Sequence, residues 1–591
     1  MHNHGFPYFV LPFTIGMGGL IVYLIIKFTR WIVLFDSSNK KLILRNILTV
    51  KTLRAFKELF LESIVHNKIF RTNPFLGYMH MCFGFGWFLL IVVGKIESLC
   101  YHFSLVNPPY YSIFFDYFHN PVNRFPGDRI FAFLMDLFLL VILSGLVLAL
   151  CKRIYSRFMG MRKTTKHRAF DSLVILSLWL IFPIRFFTES FTSGVKGGGS
   201  FLTGTAGTFF AGFLPVETLM YPSWWAYSIA LGVFFVLLPF SRYMHIPTEM
   251  VYIFLKNWGI RLKGKDDTYA QFQIFSCSRC GICVDSCQLN TSLGYNVQPV
   301  YFIRNVRHNG DYKPLVDNCL LCGRCEAACP VDLEINALRL AYKDNITVEN
   351  NYNYVKQGIN PVSEVAYFAG CMGHLTPSVI KSMQTIFEKA NVNYNFIDKD
   401  GSICCGRPMM ISGGKEAAKG IMDKNKEAII NSEAKLLVTS CPICYKMFKD
   451  EYSLNIQVMH HTEYINWLID EKILKVSKSS LKTVFHNPCD LGRGTGVYEP
   501  PKSVLNAVSE RVATKYDDKK SLCCGGSLAN NFLSPQEKNK LSSDVIAAYS
   551  AYNPDAIVTA CPLCVKTLSK SSKDIPVKDI SEIIAEVIKT M

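Results

Sequence analysis

The chain has 591 residues and a mass of 67.0 kDa, which excludes a single small module and predicts about four domains at roughly 150 residues each. Half the residues are hydrophobic, mean hydropathy is +0.19, and charged residues make up 18% where about 25% is usual for soluble domains, so part of the chain is expected in lipid. A net charge of +17 would suggest nucleic acid, but the basic residues cluster beside apolar stretches and no nucleic acid is expected; 21 cysteines in so long a chain point to metal in a reducing compartment rather than to a secreted disulfide scaffold.

Five apolar stretches, near 9–28, 76–93, 130–150, 170–187 and 224–240, are long enough to cross a hydrocarbon core, which takes ~20 helical residues. Nothing basic precedes the first and no small-residue cleavage site follows it, so it is expected to stay as a helix and not to be a signal peptide. Lys and Arg number eight in the loop 31–75 and seven in 151–169, against two in 101–129 and one in 188–222. Positive loops stay on the cytoplasmic side, so the N-terminus is expected outside and everything after about residue 258 in the cytoplasm.

His80 stands one to two turns into the second apolar stretch and His245 just after the fifth, at similar depth near the cytoplasmic face. Two imidazoles at one level can clamp a haem iron; the plainer alternative is that His80 hydrogen-bonds a neighbouring helix and His245 is interfacial. Asp136, His167, Asp171, Arg185 and Glu189 are further polar residues in or beside the spans, expected in interhelical pairs or at the surface, although a quinone site also needs such groups.

Next comes Cys277-Ser-Arg-Cys280-Gly-Ile-Cys283-Val-Asp-Ser-Cys287, and 32 positions later Cys319-Leu-Leu-Cys322-Gly-Arg-Cys325-Glu-Ala-Ala-Cys329-Pro330. This is the C-x2-C-x2-C-x3-C spacing of two-cluster ferredoxins, in which the fourth Cys ligates the other cluster. Cys277, Cys280, Cys283 and Cys329 are therefore expected to hold one cubane [4Fe-4S] cluster, and Cys287, Cys319, Cys322 and Cys325 the other. Zinc has no use for the third and fourth Cys of each run. One departure is Gln288, where the usual proline after the fourth Cys is missing.

The rest of the chain is duplicated. Cys371, Cys404, Cys405, Cys441 and Cys444 recur as Cys489, Cys523, Cys524, Cys561 and Cys564 at offsets of 118 to 120, and Glu463 and Glu582 continue the register at 119. Short β-rich runs lead into several of these cysteines, with helical patterns between them, which predicts α/β domains whose thiols meet beyond the carboxyl ends of the strands. A redox-active dithiol accounts for each Cys-x-x-Cys but not for the adjacent pairs or the isolated Cys371 and Cys489, whereas a cluster ligated by up to five thiolates accounts for all. Only Cys82, Cys100 and Cys151 are left over, in or beside spans, where small buried apolar residues are expected.

On these motifs, residues 261–591 resemble the iron–sulfur subunit of heterodisulfide reductase and its bacterial relatives, a ferredoxin pair followed by two CCG domains. The resemblance implies a non-cubane [4Fe-4S] cluster and the redox chemistry on the ten thiols of the two CCG domains. Residues 1–258 resemble the five-helix cytochrome b subunit of respiratory nitrate reductase, which binds haem b and exchanges electrons with quinone. That family stacks two haems, on two His ten apart in the second helix and two eighteen apart in the fifth. Here Leu90 and Tyr227 stand where the outer pair would be, which implies one haem, on His80 and His245.

The fusion resembles the membrane-bound electron-transfer-flavoprotein:quinone oxidoreductases of bacteria, which implies a multi-pass protein of the bacterial inner membrane. It implies an oxidoreductase passing electrons from reduced electron-transfer flavoprotein, charged by acyl-CoA oxidation, through the clusters and haem b to menaquinone of the membrane pool. No nucleotide fingerprint follows a strand, so the donor is expected to bring its own flavin. The alternatives are a quinol-linked heterodisulfide or sulfur-compound reductase, and an electron-relay subunit of a flavin-dependent lactate, glycolate or glycerol-phosphate dehydrogenase. The expected domains are 1–258 (five-helix transmembrane bundle), 259–345 (ferredoxin-like two-cluster helical domain), and 346–476 and 477–591 (duplicated α/β CCG domains).

Overall fold

The computed structural model describes residues 7–102, 108–122, 125–155, 168–348, 363–401, 403–530 and 532–588. His167 lies outside them. The chain forms two compact units, Met1–Gly281 and Ile282–Met591, and the division falls inside the first cysteine run, between Cys280 and Cys283.

In the first unit each apolar stretch lies within one long helix: Tyr8–Val33, Pro74–Tyr101, Asp128–Ile154, Ala169–Lys196 and Val216–Phe240. All five are long and apolar enough to cross a membrane. Lipid offers helices no apolar advantage in associating, so close backbone approach at small residues matters. The first and fifth spans meet at such a point, where a Cβ on Gly16 would lie 2.7 Å from the Gly232 carbonyl oxygen. The second and third meet at Cys82, fully buried, whose Cβ would lie 2.5 Å from a Cβ on Gly145. Cys82 thus packs as the small apolar residue expected.

Asp136, Arg185 and Glu189, polar residues of the spans, find partners inside this unit. Asp136 accepts hydrogen bonds from the backbone N–H groups of Ser200, Leu202 and Thr203 and from the Thr203 hydroxyl at 2.7–3.1 Å, fixing the start of the helix Thr203–Ala211. Arg185 and Glu189 form a buried pair at 2.7 Å within one helix. The fifth span stops at Phe240: Pro239 donates no hydrogen bond, and Ser241 turns extended and accepts from the Tyr243 N–H. His245 then begins a separate helix, His245–Asn257, so Tyr227 and His245 do not share one continuous helix.

In the second unit a short-helix region precedes the two expected α/β repeats, which carry two four-stranded parallel sheets. The strands are β1 Val365–Phe368, β2 Tyr394–Phe396, β3 Leu436–Thr439 and β4 Gln457–His460, then β5 Lys482–His486, β6 Glu510–Val512, β7 Ala556–Thr559 and β8 Val577–Asp579. Their orders, β2-β1-β3-β4 and β6-β5-β7-β8, are the same. So are the last rungs of the central pairs, Phe368 opposite Thr439 and His486 opposite Thr559. The crossover direction reverses between the two central strands, and a crevice opens at their carboxyl ends.

One apolar core runs through both repeats, joining Tyr367, Met383 and Phe387 to Phe485, Leu505 and Ile584. The helix Pro377–Lys389 packs on Ile580–Val587, and His461–Asp470 on Glu499–Val508. His461 Nε2 meets Asp579 Oδ1 at 3.1 Å, both fully buried. Glu463 and Glu582, which continue the repeat register, accept from the backbone N–H groups of His460 and Asp579 in matching capping boxes. Their recurrence is a matter of helix starts.

Candidate functional site

Each repeat presents its cysteines at the crevice for local reasons. Cys371 and Cys489 follow the central strands β1 and β5. Cys441 and Cys561 follow β3 and β7 and stand at the N-caps of the helices Pro442–Asp450 and Pro562–Ser569. Proline is favoured at the first helical position, and a helix N-terminus favours thiolate, which accounts for Cys-Pro-x-Cys in both repeats. The glycines after the adjacent pairs, Gly406 at φ 84° and Gly525 at φ 86°, occupy the left-handed region that a side chain disfavours. The amides of Gly406 and Gly526 point to Cys404 Sγ and Cys524 Sγ at 3.5 and 3.4 Å. Gly370 is required by approach as well as by φ, since a Cβ there would lie 2.7 Å from Cys444 Sγ.

The five thiols of each repeat form one connected chain, in the same order. In the first it runs Cys371, Cys404, Cys405, Cys444, Cys441. In the second it runs Cys489, Cys523, Cys524, Cys564, Cys561, with the Cys524 and Cys564 sulfurs 3.4 Å apart. Thiol neighbours hold Cys404 and Cys524 well below the usual thiol range: Cys371 and Cys405 for the former, Cys523 and Cys564 for the latter. In the first repeat Asn425 and the Tyr452 hydroxyl donate to the Cys404 and Cys405 carbonyls at 2.7 and 3.0 Å. Sulfur donors at this density fit an iron–sulfur cluster.

The two ferredoxin-like runs share a backbone pattern, with Arg279 and Leu321 left-handed before the second Cys and Gly281 and Gly323 left-handed after it. Cys287, Cys319, Cys322 and Cys325, one expected ligand set, lie within electrostatic reach of one another in the second unit, and Cys283 is within reach of Cys325. Burial pushes the Cys319 thiol up and the Cys325 thiol well up, so metal binding has to displace those protons. The other set is divided between the units, Cys277 and Cys280 in the first, Cys283 and Cys329 in the second.

Inside the second unit the second repeat is fastened to the second cysteine run. The Gln288 side chain donates to the Cys523 carbonyl at 3.1 Å and accepts from the Cys523 N–H at 2.5 Å, the whole group being buried. Arg493 Nε donates to the Cys322 carbonyl at 2.7 Å and its Nη1 to that of Ser521 at 2.7 Å. Ser527 and Asn530 bond the carbonyls of Leu320 and Asn318. The Cys322 thiol touches that of Cys523, joining the cysteine run to the chain of thiols in the second repeat; that contact, ahead of the Arg493 charge, pulls Cys322 down to about 5. Gln288 was visible in the sequence only as a missing proline. A small cleft of about 50 Å³, bounded by Leu320, Arg407 and Ile443, opens onto the thiols of the second repeat.

In the first unit, His80 stands within electrostatic reach of His66, Lys152, Arg242 and His245. His66, which sequence reasoning passed over, lies with its ring centroid 5.5 Å from that of His80. His245 Nδ1 sits 2.8 Å from the Arg242 carbonyl oxygen, which orients the ring. Leu90 and Tyr227 are buried side chains. Arg279, between Cys277 and Cys280, pairs with Asp171 of the fourth span at 2.8 Å, and Asp171 also accepts from the Arg242 N–H at 2.9 Å. The Arg242 guanidinium bonds the Ser278 carbonyl. The start of the first cysteine run is thereby tied to the loop that leads into His245.

The cysteine-bearing half matches known domains. Residues 276–334 match the 4Fe-4S dicluster domain, and 365–449 and 483–569 each match the cysteine-rich domain CCG. One subunit of the dihydromethanophenazine:CoB--CoM heterodisulfide reductase of Methanosarcina acetivorans is 23% identical, over 54% of this chain and 94% of that protein. One subunit of the fumarate reductase (CoM/CoB) of Methanothermobacter marburgensis is 22% identical, over 55% of this chain and 75% of that protein. The EtfAB:quinone oxidoreductase of Syntrophomonas wolfei is 21% identical, over 90% of this chain and 89% of that protein, so the similarity runs through the helical half as well. With five helices able to span a membrane, a dicluster domain and a duplicated CCG domain in one chain, the protein is an iron–sulfur oxidoreductase similar along nearly its whole length to an EtfAB:quinone oxidoreductase.

Proposed function

We propose that this chain carries electrons from reduced electron-transfer flavoprotein, through its iron–sulfur clusters and a haem b, to menaquinone. The observation that carries this reading is the similarity to an EtfAB:quinone oxidoreductase across both halves of the chain. On this reading Cys277, Cys280, Cys283 and Cys329 hold one cubane cluster and Cys287, Cys319, Cys322 and Cys325 the other. The five thiols of each repeat hold a [4Fe-4S] cluster of non-cubane type, and His80 and His245 hold the haem. The His245 hydrogen bond to the Arg242 carbonyl, of the kind metal-binding imidazoles make, supports the haem assignment.

These groups supply one-electron chemistry when bound; the protein supplies order, spacing and insulation. Gln288 and Arg493 hold the second repeat on the dicluster region. Asp171, Arg242 and Arg279 hold the start of the first cysteine run, at Ser278 and Arg279, beside the His245 loop. The domains are 1–258, 259–345, 346–476 and 477–591, with the N-terminus outside and the iron–sulfur domains in the cytoplasm.

The test uses the anaerobically purified full chain in detergent. Reduced electron-transfer flavoprotein should reduce the b-type absorption, and a menaquinone analogue should reoxidise it; a flavoprotein that leaves the spectrum unchanged refutes this reading. His80→Ala should abolish the haem spectrum and keep the iron–sulfur signals, and Cys82→Ser should change neither. The similarity to a heterodisulfide reductase subunit over 54% of the chain favours a second reading, a quinol-linked heterodisulfide reductase. It wins if a heterodisulfide oxidises the quinol-reduced enzyme while the flavoprotein does nothing.

A further inference from the structure

The two repeats differ at one rung. Phe368 ends β1 three residues before Cys371, and its ring packs edge-on against Phe448 at 5.0 Å. The equivalent residue of the second repeat, three before Cys489 at the end of β5, is His486. Backbone pairing with Thr559, whose hydroxyl donates to the His486 carbonyl at 2.9 Å, fixes its place, and the Tyr549 ring meets it edge-on at 5.9 Å. The imidazole is 1% exposed, and apart from the Cys524 thiol beside it neither Nδ1 nor Nε2 has a hydrogen-bond partner among the described residues. A ring nitrogen, Cys524 Sγ and Cys564 Sγ all lie within 4.8 Å of one another. The polar group beside the ring is thus the Cys524 thiol, and whatever that thiolate binds lies within reach of the imidazole.

We propose that His486 directs a ring nitrogen to the cluster held by Cys489, Cys523, Cys524, Cys561 and Cys564, so that the second site offers nitrogen among its sulfurs while the first offers sulfur alone. This rests on the reading that those thiols hold a cluster. A neutral nitrogen ligand, or an N–H aimed at a cluster sulfur, adds no negative charge and favours the reduced state. The second site is therefore the higher in potential of the two. It is also the one that Gln288 and the Cys322–Cys523 contact join to the dicluster region. Electrons delivered to either repeat collect at the second and leave through it.

The test is pulsed EPR on anaerobically purified full-length protein, unlabelled and with 15N-histidine, alongside iron and sulfide analysis. One of the two CCG cluster signals should show a histidine nitrogen coupling. His486→Phe should remove that coupling and move the midpoint potential of that signal alone downward, and Phe368→His should give the other signal a coupling. The labelled wild-type measurement stands even if His486→Phe fails to load iron. Cluster signals with no nitrogen coupling in the wild type, or a coupling that survives His486→Phe, overturn the proposal. A missing iron–sulfur complement in the wild type, or zinc in its place, overturns instead the reading beneath it.

Discussion

Gln288→Met keeps the length of the side chain and removes both hydrogen bonds to the Cys523 backbone. Each bond contributes about 1 kcal/mol net, and the two backbone groups left buried without a partner add to the loss, so the local cost is about 2–4 kcal/mol. At about 1.4 kcal/mol per factor of ten, the Cys523 amide should exchange with solvent deuterium some 30- to 700-fold faster than in the wild type. Exchange followed by mass spectrometry on the intact protein in detergent reads this directly from the peptide that spans Cys523 to Gly526. Gln288→Glu, which keeps the acceptor for the N–H and loses the donor to the carbonyl, should fall between the two. Protection in Gln288→Met within about threefold of the wild type would refute the clamp. So would faster exchange spread evenly over the second repeat, because that describes global loosening and not the loss of two bonds at one residue.

Asp171→Asn should leave the Arg279 guanidinium buried without its countercharge, at a cost of about 3–5 kcal/mol, and lower the iron retained by the first cysteine run while sparing the CCG signals; full iron content with unchanged stability speaks against the tether. Burial, opposed by the Ser63 hydrogen bond, pushes the Glu249 carboxyl up to about 7. A raised carboxyl keeps its proton longer in the folded state, so its contribution is fully present below about pH 4.5 and is lost as pH rises through about 7, in total roughly 3 kcal/mol. Glu249→Gln should flatten the fall in thermal midpoint between pH 5 and 8, and parallel wild-type and variant curves would contradict the burial argument. Gly232→Val places side-chain carbon against the Pro12 carbonyl where the first and fifth spans cross, and should lower the thermal midpoint in detergent through about 1–3 kcal/mol of overpacking, whereas Gly18→Val, where a Cβ meets nothing, should not.

The features legible in the sequence were those written in residues close together in the chain. Long apolar runs predicted the spans, because about 20 such residues have no stable place but lipid or a core. The twin cysteine runs and the repeat offsets predicted the dicluster region and the duplicated α/β repeats, because a tight loop supplies three of the four ligands of each cubane and a duplication keeps its spacing. Tertiary structure alone decided which parts meet. Nothing local marks Gln288 and Cys523, 235 residues apart, as partners, or distinguishes Glu463 and Glu582 as helix caps from members of a site. Ser241 and Pro239 break the fifth span before His245 through hydrogen bonding that spacing does not reveal. Composition and periodicity report what each segment needs to bury or bind, whereas the buried pairs Asp171 with Arg279 and His461 with Asp579 exist only once distant segments exclude water together.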